Sequence, residues 1–204
     1  MAVFQPIYLY GDYVIAHGKG GHDRQQLALD QCCLCVVEFH FNSATAAARG
    51  GEVHHQPGVA DSLSFAQDMW AELAAGGLPA HGTAPVKSTT VATRSAWIDY
   101  YAMTAIVLEP LFISNQAQAD WLHANADTLA ALIAAGIMGH YPNGGRIGLS
   151  AGHAYKSTAD SGAPCVNSDT EADHTVDMVQ RVAEILLPGS APSCQVPPAM
   201  CCAP

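Results

Sequence analysis

The chain of 204 residues carries a formal charge of −10, with 8 Lys and Arg against 18 Asp and Glu. So few cations exclude duplex DNA or RNA as a partner, because contacts to a phosphate backbone need clustered Lys and Arg. Half of the residues are apolar and 13% are charged, a balance that supports one full globular core, and the apolar runs break well before the length of a membrane span.

The first residues place no basic side chain before an apolar run and include Pro6, so no secretory signal is expected. Seven cysteines make an odd number, and Cys194, Cys201 and Cys202 lie in a proline-rich tail, which argues against a disulfide framework. Cys32 and Cys35 have the spacing of a redox pair or of half a zinc site. No second half follows, and the segment runs straight into a buried strand, so these cysteines read as small hydrophobes.

In chain order, Ile7 to Tyr10 and Tyr13 to Ile15 predict β structure broken by the turn dipeptide Gly11-Asp12. The loop His17-Gly-Lys-Gly-Gly-His22 lacks the spacing of a phosphate-binding loop and reads as an exposed segment. A short helix is predicted over 23–30. Residues 34–41 then predict a buried strand, apolar except for Glu38 and His40. Alternation puts Val36, Glu38 and His40 on one face and Cys35, Val37, Phe39 and Phe41 on the other. An imidazole and a carboxylate are therefore expected at the mouth of a sheet, where ligands of open α/β sheets bind. On the strand alone, His40 is either a hydrogen-bonded core or rim histidine or a ligand.

Gly50-Gly51 introduces a second strand over 52–55, stopped by Gln56-Pro57. Helical spacing of Leu63, Phe65, Ala66, Met69, Trp70 and Leu73 predicts a helix over 61–75, capped by Asp61 or Ser62 and ended by Gly76-Gly77. The polar stretch to residue 95 has no sustained period. Residues 104–109 predict another buried strand, ending in Glu109, and Ser114-Asn115 opens a helix to about residue 138. Turn chemistry at 141–145 leads to a short strand over 146–149, then Gly152-His153 and a glycine-containing loop. A last helix is predicted over 169–187, with Thr170 and Asp173 at capping-box spacing. The fold class is α/β, a single mostly parallel or mixed sheet flanked by helices. Residues 1–187 are expected to form one catalytic domain, and the proline- and cysteine-rich 188–204 an extended or disordered tail.

Three metal-type side chains fall at element ends: His40, His153 and Glu171. Two imidazoles and one carboxylate are the donor set of catalytic zinc with a position left open. Glu109, ending a separate buried strand, would be the general base and acid. Glu38, Glu52 and Asp173 are rival carboxylates.

These residues carry a resemblance. Glu109-Pro-Leu-Phe-Ile-Ser-Asn115, with Ala-Ala-Gly-Ile137 in the following helix, resembles the closing motif of the type 3 family of zinc-dependent N-acetylmuramoyl-L-alanine amidases. Glu38-Phe-His40-Phe-Asn-Ser-Ala44 followed by Gly51-Glu-Val53 resembles that family's second histidine motif and the strand after it. Gly152-His153, Asp160-Ser-Gly-Ala163 and Glu171 resemble its opening motif. Ala154, Ser161 and Pro110-Leu111 depart from the pattern in the loops.

The resemblance implies zinc on His40, His153 and Glu171, catalysis by Glu109, and cleavage of the amide between N-acetylmuramic acid and L-alanine in peptidoglycan. It also implies a changed order: the opening strand and first helix of the family stand at the end of this chain, so the sequence reads as circularly permuted, with the old termini joined through 141–145. Cytoplasmic synthesis followed by phage-type release onto the cell wall is the expected setting. The alternatives are a zinc carboxypeptidase or other amidohydrolase, and a noncatalytic wall-binding or virion structural protein.

Overall fold

In the computed structural model, which describes residues 2–11, 23–89, 96–156 and 159–187, the most apolar runs lie at the centre of one sheet. The elements are β1 (Val3–Leu9), α1 (Arg24–Asp30), β2 (Cys35–Phe39), β3 (Glu52–His55), α2 (Ala60–Ala75), β4 (Val86–Ser88), β5 (Thr104–Glu109), α3 (Gln116–His140), β6 (Gly144–Ala151) and α4 (Glu171–Leu186). The strand order is β1-β6-β2-β5-β3-β4. β1, β6, β2 and β5 run parallel, β3 is antiparallel to β5, and β4 is parallel to β3. The sheet is thus mixed, with every residue of β2 buried between two parallel neighbours. Strands enclosed in this way are expected to be continuous apolar runs.

The strand periodicity divides the core as the sequence implies. Cys35, Val37, Phe39 and Phe41 pack with α2, α3 and α4 on one face, while Val36 packs with Leu9, Ala28, Ile98 and Tyr101 on the other. Thr170 caps α4 through the Asp173 backbone N–H, and the Asp173 side chain returns to the Thr170 backbone, a complete capping box. The buried stripe of α4 is Thr175, Met178, Val179, Val182, Ala183 and Leu186, with Val176 only half-buried.

Three expectations shift. α2 has no side-chain cap, because it begins at Ala60 with Val59 at the cap position, which puts Asp61 and Ser62 inside the first turn; there β5 engages them, Thr104 Oγ1 donating to Asp61 Oδ2 at 2.6 Å and Ser62 Oγ donating to the Ala105 carbonyl at 2.6 Å. β6 extends beyond 146–149 at both ends, since β1 pairs with it along Gly144 to Ser150. β4 forms inside the polar stretch, held by its ladder to β3. The expected strand residues 13–15, the loop 17–22 and the tail from residue 188 lie outside the described residues. Among the described residues no helix is long and apolar enough to cross a membrane.

Glu52, one of the rival carboxylates, ties β3 to β4. His54 Nε2 lies 2.9 Å from its Oε1, and Lys87 Nζ donates to its Oε2. Burial alone would raise the pKa of this carboxyl, but the His54 and Lys87 contacts outweigh it and hold the value down to about 2. A depressed carboxylate pKa contributes stability that is fully present above the unfolded value and is lost as pH falls towards the folded one. Denaturant melts of wild type and Glu52→Gln should therefore differ by about 1–3 kcal/mol near neutrality. The two curves should converge between about pH 4.5 and 2. A constant offset across that window would remove Glu52 from the ledger.

Candidate metal centre

The three expected ligands come from three different elements. His40 follows the last residue of β2, His153 follows β6, and Glu171 is the first residue of α4. Adjacent parallel strands end side by side, so β2 and β6 deliver their following residues to one edge of the sheet. One donor atom from each of His40, His153 and Glu171 lies within 4.8 Å of the others. The hub is Glu171 Oε1, which stands 3.0 Å from His40 Nδ1 and 3.2 Å from His153 Nε2, and accepts the Phe41 backbone N–H at 3.2 Å. Its other oxygen accepts the Ala163 N–H at 3.0 Å. The two imidazoles meet edge to face, with ring centroids 4.9 Å apart.

The electrostatics follow from this crowding. Burial would raise the Glu171 pKa, but hydrogen bonds from His153 and His40 hold it well below the usual carboxylate range. For His153 burial lowers and the Glu171 and Asp160 carboxylates raise, and the carboxylates win. Asp160 Oδ2 sits 2.9 Å from His153 Nδ1. An Nδ1–H donated to Asp160 orients the ring, and loss of the Nε2 proton now shared with Glu171 would free Nε2 to ligate a metal, the arrangement by which a carboxylate orients a metal-binding histidine.

Two glycines admit this packing. A Cβ at Gly152 would lie 2.4 Å from His40 Cε1 and 2.5 Å from Nε2, and one at Gly162 would lie 2.7 Å from Glu171 Oε2. His153 itself adopts φ 63°, a left-handed conformation that is uncommon away from glycine and collects at functional sites. Arg24, fully buried on α1, secures the backbone on both sides of His153: its guanidinium donates to the Ser150 hydroxyl at 2.5 Å, the Ala151 carbonyl at 2.7 Å and the Ala154 carbonyl. The donor set, two imidazoles and a carboxylate in a glycine-lined cradle, fits a zinc ion.

Glu109 ends β5, next to β2. Its Oε2 is shut away from solvent and has no hydrogen-bond partner among the described residues. Burial first, then the like charges of Glu171 and Glu52, push its pKa well above the ordinary carboxylate value. An unsatisfied buried carboxyl costs stability, and such costs are tolerated where chemistry uses the group.

The rival carboxylates and the cysteine pair are accounted for elsewhere. Glu38 accepts the Tyr101 hydroxyl at 2.7 Å on the opposite face of the sheet, so it does not share the mouth with His40. The strand alternation behind that expectation ends with β2 at Phe39, one residue before His40. Asp173 is the capping-box residue, and Glu52 belongs to β3 and β4. Cys33 and Cys35 are buried and Cys32 is exposed, and burial raises both buried thiols, that of Cys33 to about 11. They are packing residues, unsuited to hold a metal as thiolates. Sequence reasoning missed Asp160 and Arg24 as builders of the site. Asp160 stood within the quoted motif, seven residues after His153, whereas no local signal marks Arg24.

The N-acetylmuramoyl-L-alanine amidase family matches the chain over residues 15–138, a stretch that contains His40 and Glu109. No curated protein matches the chain. Among solved structures, the chain is similar to the N-acetylmuramyl-L-alanine amidase Ami1 from Mycobacterium smegmatis, at 18% identity and a TM-score of 0.53, over 61% of this chain and 65% of that one. It is also similar to the CwlD amidase from Clostridioides difficile, at 16% identity and a TM-score of 0.51, over 58% of this chain and 59% of that one. The chain thus spans less than two thirds of the length of these two amidases. At such identities the likeness establishes the fold, a mixed sheet flanked by helices. With its match reaching over more than half of the sequence, the chain belongs to the N-acetylmuramoyl-L-alanine amidase family.

Proposed function

We propose that this protein hydrolyses the amide between N-acetylmuramic acid and L-alanine in peptidoglycan, using zinc held by His40, His153 and Glu171 and proton transfer by Glu109. The observation that carries this reading is the convergence of the three donors on one edge of the sheet within 4.8 Å. A zinc ion bound there supplies Lewis acidity towards the scissile carbonyl. His153 is held in register by Asp160, and Glu171 by the Ala163 and Phe41 backbone N–H groups. Glu109 accepts a proton from the attacking water and delivers it to the departing amide nitrogen, a role suited to a carboxyl with a raised pKa.

The same reading includes a permuted chain order. The family match ends at residue 138, before His153 and Glu171, which stand just after β6 and at the start of α4, the last two elements among the described residues. β6 nevertheless lies between β1 and β2 in the sheet. An opening strand and helix transferred to the end of the sequence account for both facts. In this reading residues 1–187 form the catalytic body and 188–204 a separate tail.

Metal analysis and product analysis test the proposal together. The purified protein should carry zinc, and His40→Ala and His153→Ala should each lose nearly all of it along with wall digestion. Digestion should expose the amino group of L-alanine at the start of the stem peptide. Release of a carboxy-terminal amino acid would favour a carboxypeptidase instead. Full zinc occupancy in either variant would sink the ligand assignment, and a zinc-loaded wild type without hydrolytic activity would leave a binding protein.

A further inference from the structure

We propose a second metal site, built from His123, Cys165, His174 and Asp169, which takes zinc as a structural ion and pins the loop before α4 to α3. His123 lies on α3, His174 on α4, and Cys165 and Asp169 in the loop between β6 and α4. One donor atom from each of His123, Cys165 and His174 lies within 4.8 Å of the others. Asp169 Oδ2 stands 3.2 Å from His123 Nε2 and 3.9 Å from His174 Nε2, so a carboxylate oxygen flanks both imidazoles, while the donors that meet within 4.8 Å are those of His123, Cys165 and His174. The imidazoles are perpendicular, at 89°, with centroids 5.2 Å apart.

Two observations oppose the plain alternative of a surface ion pair beside a packed cysteine. His174 Nε2 is shut from solvent and has no hydrogen-bond partner among the described residues. A buried ring nitrogen left in that state costs free energy, which a bound cation would recover. Cys165 is only 6% exposed, yet its loop is shaped around it: its N–H donates to the Asp169 carbonyl at 2.8 Å, and the Ser168 N–H donates to its carbonyl at 3.1 Å.

The chemistry of the four donors selects the ion. One thiolate, two imidazoles and a carboxylate form a borderline-soft tetrahedral set, which suits zinc and excludes the oxygen-seeking magnesium and calcium. A tetrahedral zinc separates its donor atoms by about 3.3–3.6 Å, so small side-chain rotations close the present spacing. With the Asp169 carboxylate turned onto the ion, four protein donors would complete the shell, which makes this a structural ion in contrast to the three-donor cluster at Glu171. His174 lies one turn along α4 from Glu171, and the same loop carries the Ala163 N–H that holds Glu171 Oε2. The second ion therefore fixes the helix end and the loop that present Glu171.

Metal stripping of the full chain, followed by reloading with zinc or cobalt(II) and desalting, tests the site. Wild type should retain one metal equivalent beyond that of the Glu171 cluster. With cobalt it should show the near-ultraviolet thiolate charge-transfer band that a site of imidazoles and a carboxylate cannot give. His123→Ala, at a partly exposed position, and Cys165→Ser should each lose that equivalent and the band while keeping the far-ultraviolet circular dichroism of the stripped protein. His40→Ala should keep both. The other cysteines remain in every variant, so a band due to them would survive His123→Ala and Cys165→Ser. The proposal is overturned if no metal equivalent depends on His123 and Cys165. An equivalent lost in His123→Ala but no equivalent lost in His40→Ala would keep this site and remove the catalytic one.

Discussion

A chain ending at Gly145 is expected to remain unfolded and inactive, although its sequence still contains His40, Glu109 and the whole of the family match. The truncation removes most of β6, the strand that joins β1 to β2, so that β1 loses its partner and β2 presents an open edge. It also removes Ile147, Leu149, Met178, Val179, Val182 and Leu186, all buried. Burying each such side chain is worth about 1.5–3 kcal/mol. Their joint loss matches or exceeds the net stability of an ordinary domain, about 5–15 kcal/mol. Circular dichroism and denaturant titration of the 1–145 fragment should show no cooperative transition. A fragment that melts cooperatively and digests peptidoglycan would establish a self-sufficient amino-terminal domain and dismiss the permuted reading.

Glu109→Gln is expected to separate activity from stability. The amide keeps the shape of the carboxyl but cannot take up a proton, so turnover should fall by about a hundredfold or more while zinc content is unchanged. Stability of the metal-free protein should move the other way. Burial and neighbouring acids raise the Glu109 pKa in the folded chain, so the native state binds more protons than the unfolded state. Stability then falls as pH rises from the ordinary carboxylate value towards the raised one. Removing the titrating group should make the variant more stable than wild type above about pH 5, with the gap closing in acid. Urea melts of stripped protein at several pH values, beside kcat on purified wall, read both effects. A variant that loses stability and keeps activity would make Glu109 a structural carboxylate.

The strands at 35–39, 52–55 and 104–109 and the helices around them were legible because each buries a face whose period is written locally. α4 was legible down to its cap, since Thr170 and Asp173 interact across three residues. β4 was not, because three half-buried residues carry no period and their structure comes from pairing with β3. The cap of α2 was misread because the helix starts earlier than its apolar stripe suggests, with Val59 at the cap, so Asp61 and Ser62 fall within the first turn and bond to β5. The His40, His153 and Glu171 set could be read because each stands at an element end. His123, Cys165 and His174 could not, since they meet only when α3, the loop and α4 are packed together. Arg24 shows the same limit, a helix arginine whose partners lie on the far side of the chain.

The place of β6 in the sheet also sets a schedule for synthesis. β1 and β2 leave the ribosome early but are not neighbours, because the strand that must sit between them emerges after every other strand among the described residues. Until then their edges are open to any extended segment nearby, including each other, and a direct β1–β2 pairing would have to be undone before β6 could enter. Cooperative closure of the sheet is thus deferred until β6 has been made, leaving a window in which those edges are unpaired. Under the proposed function, the same delay keeps the protein inert while it is being made, since neither His153 nor Glu171 exists in the growing chain before β6 is made.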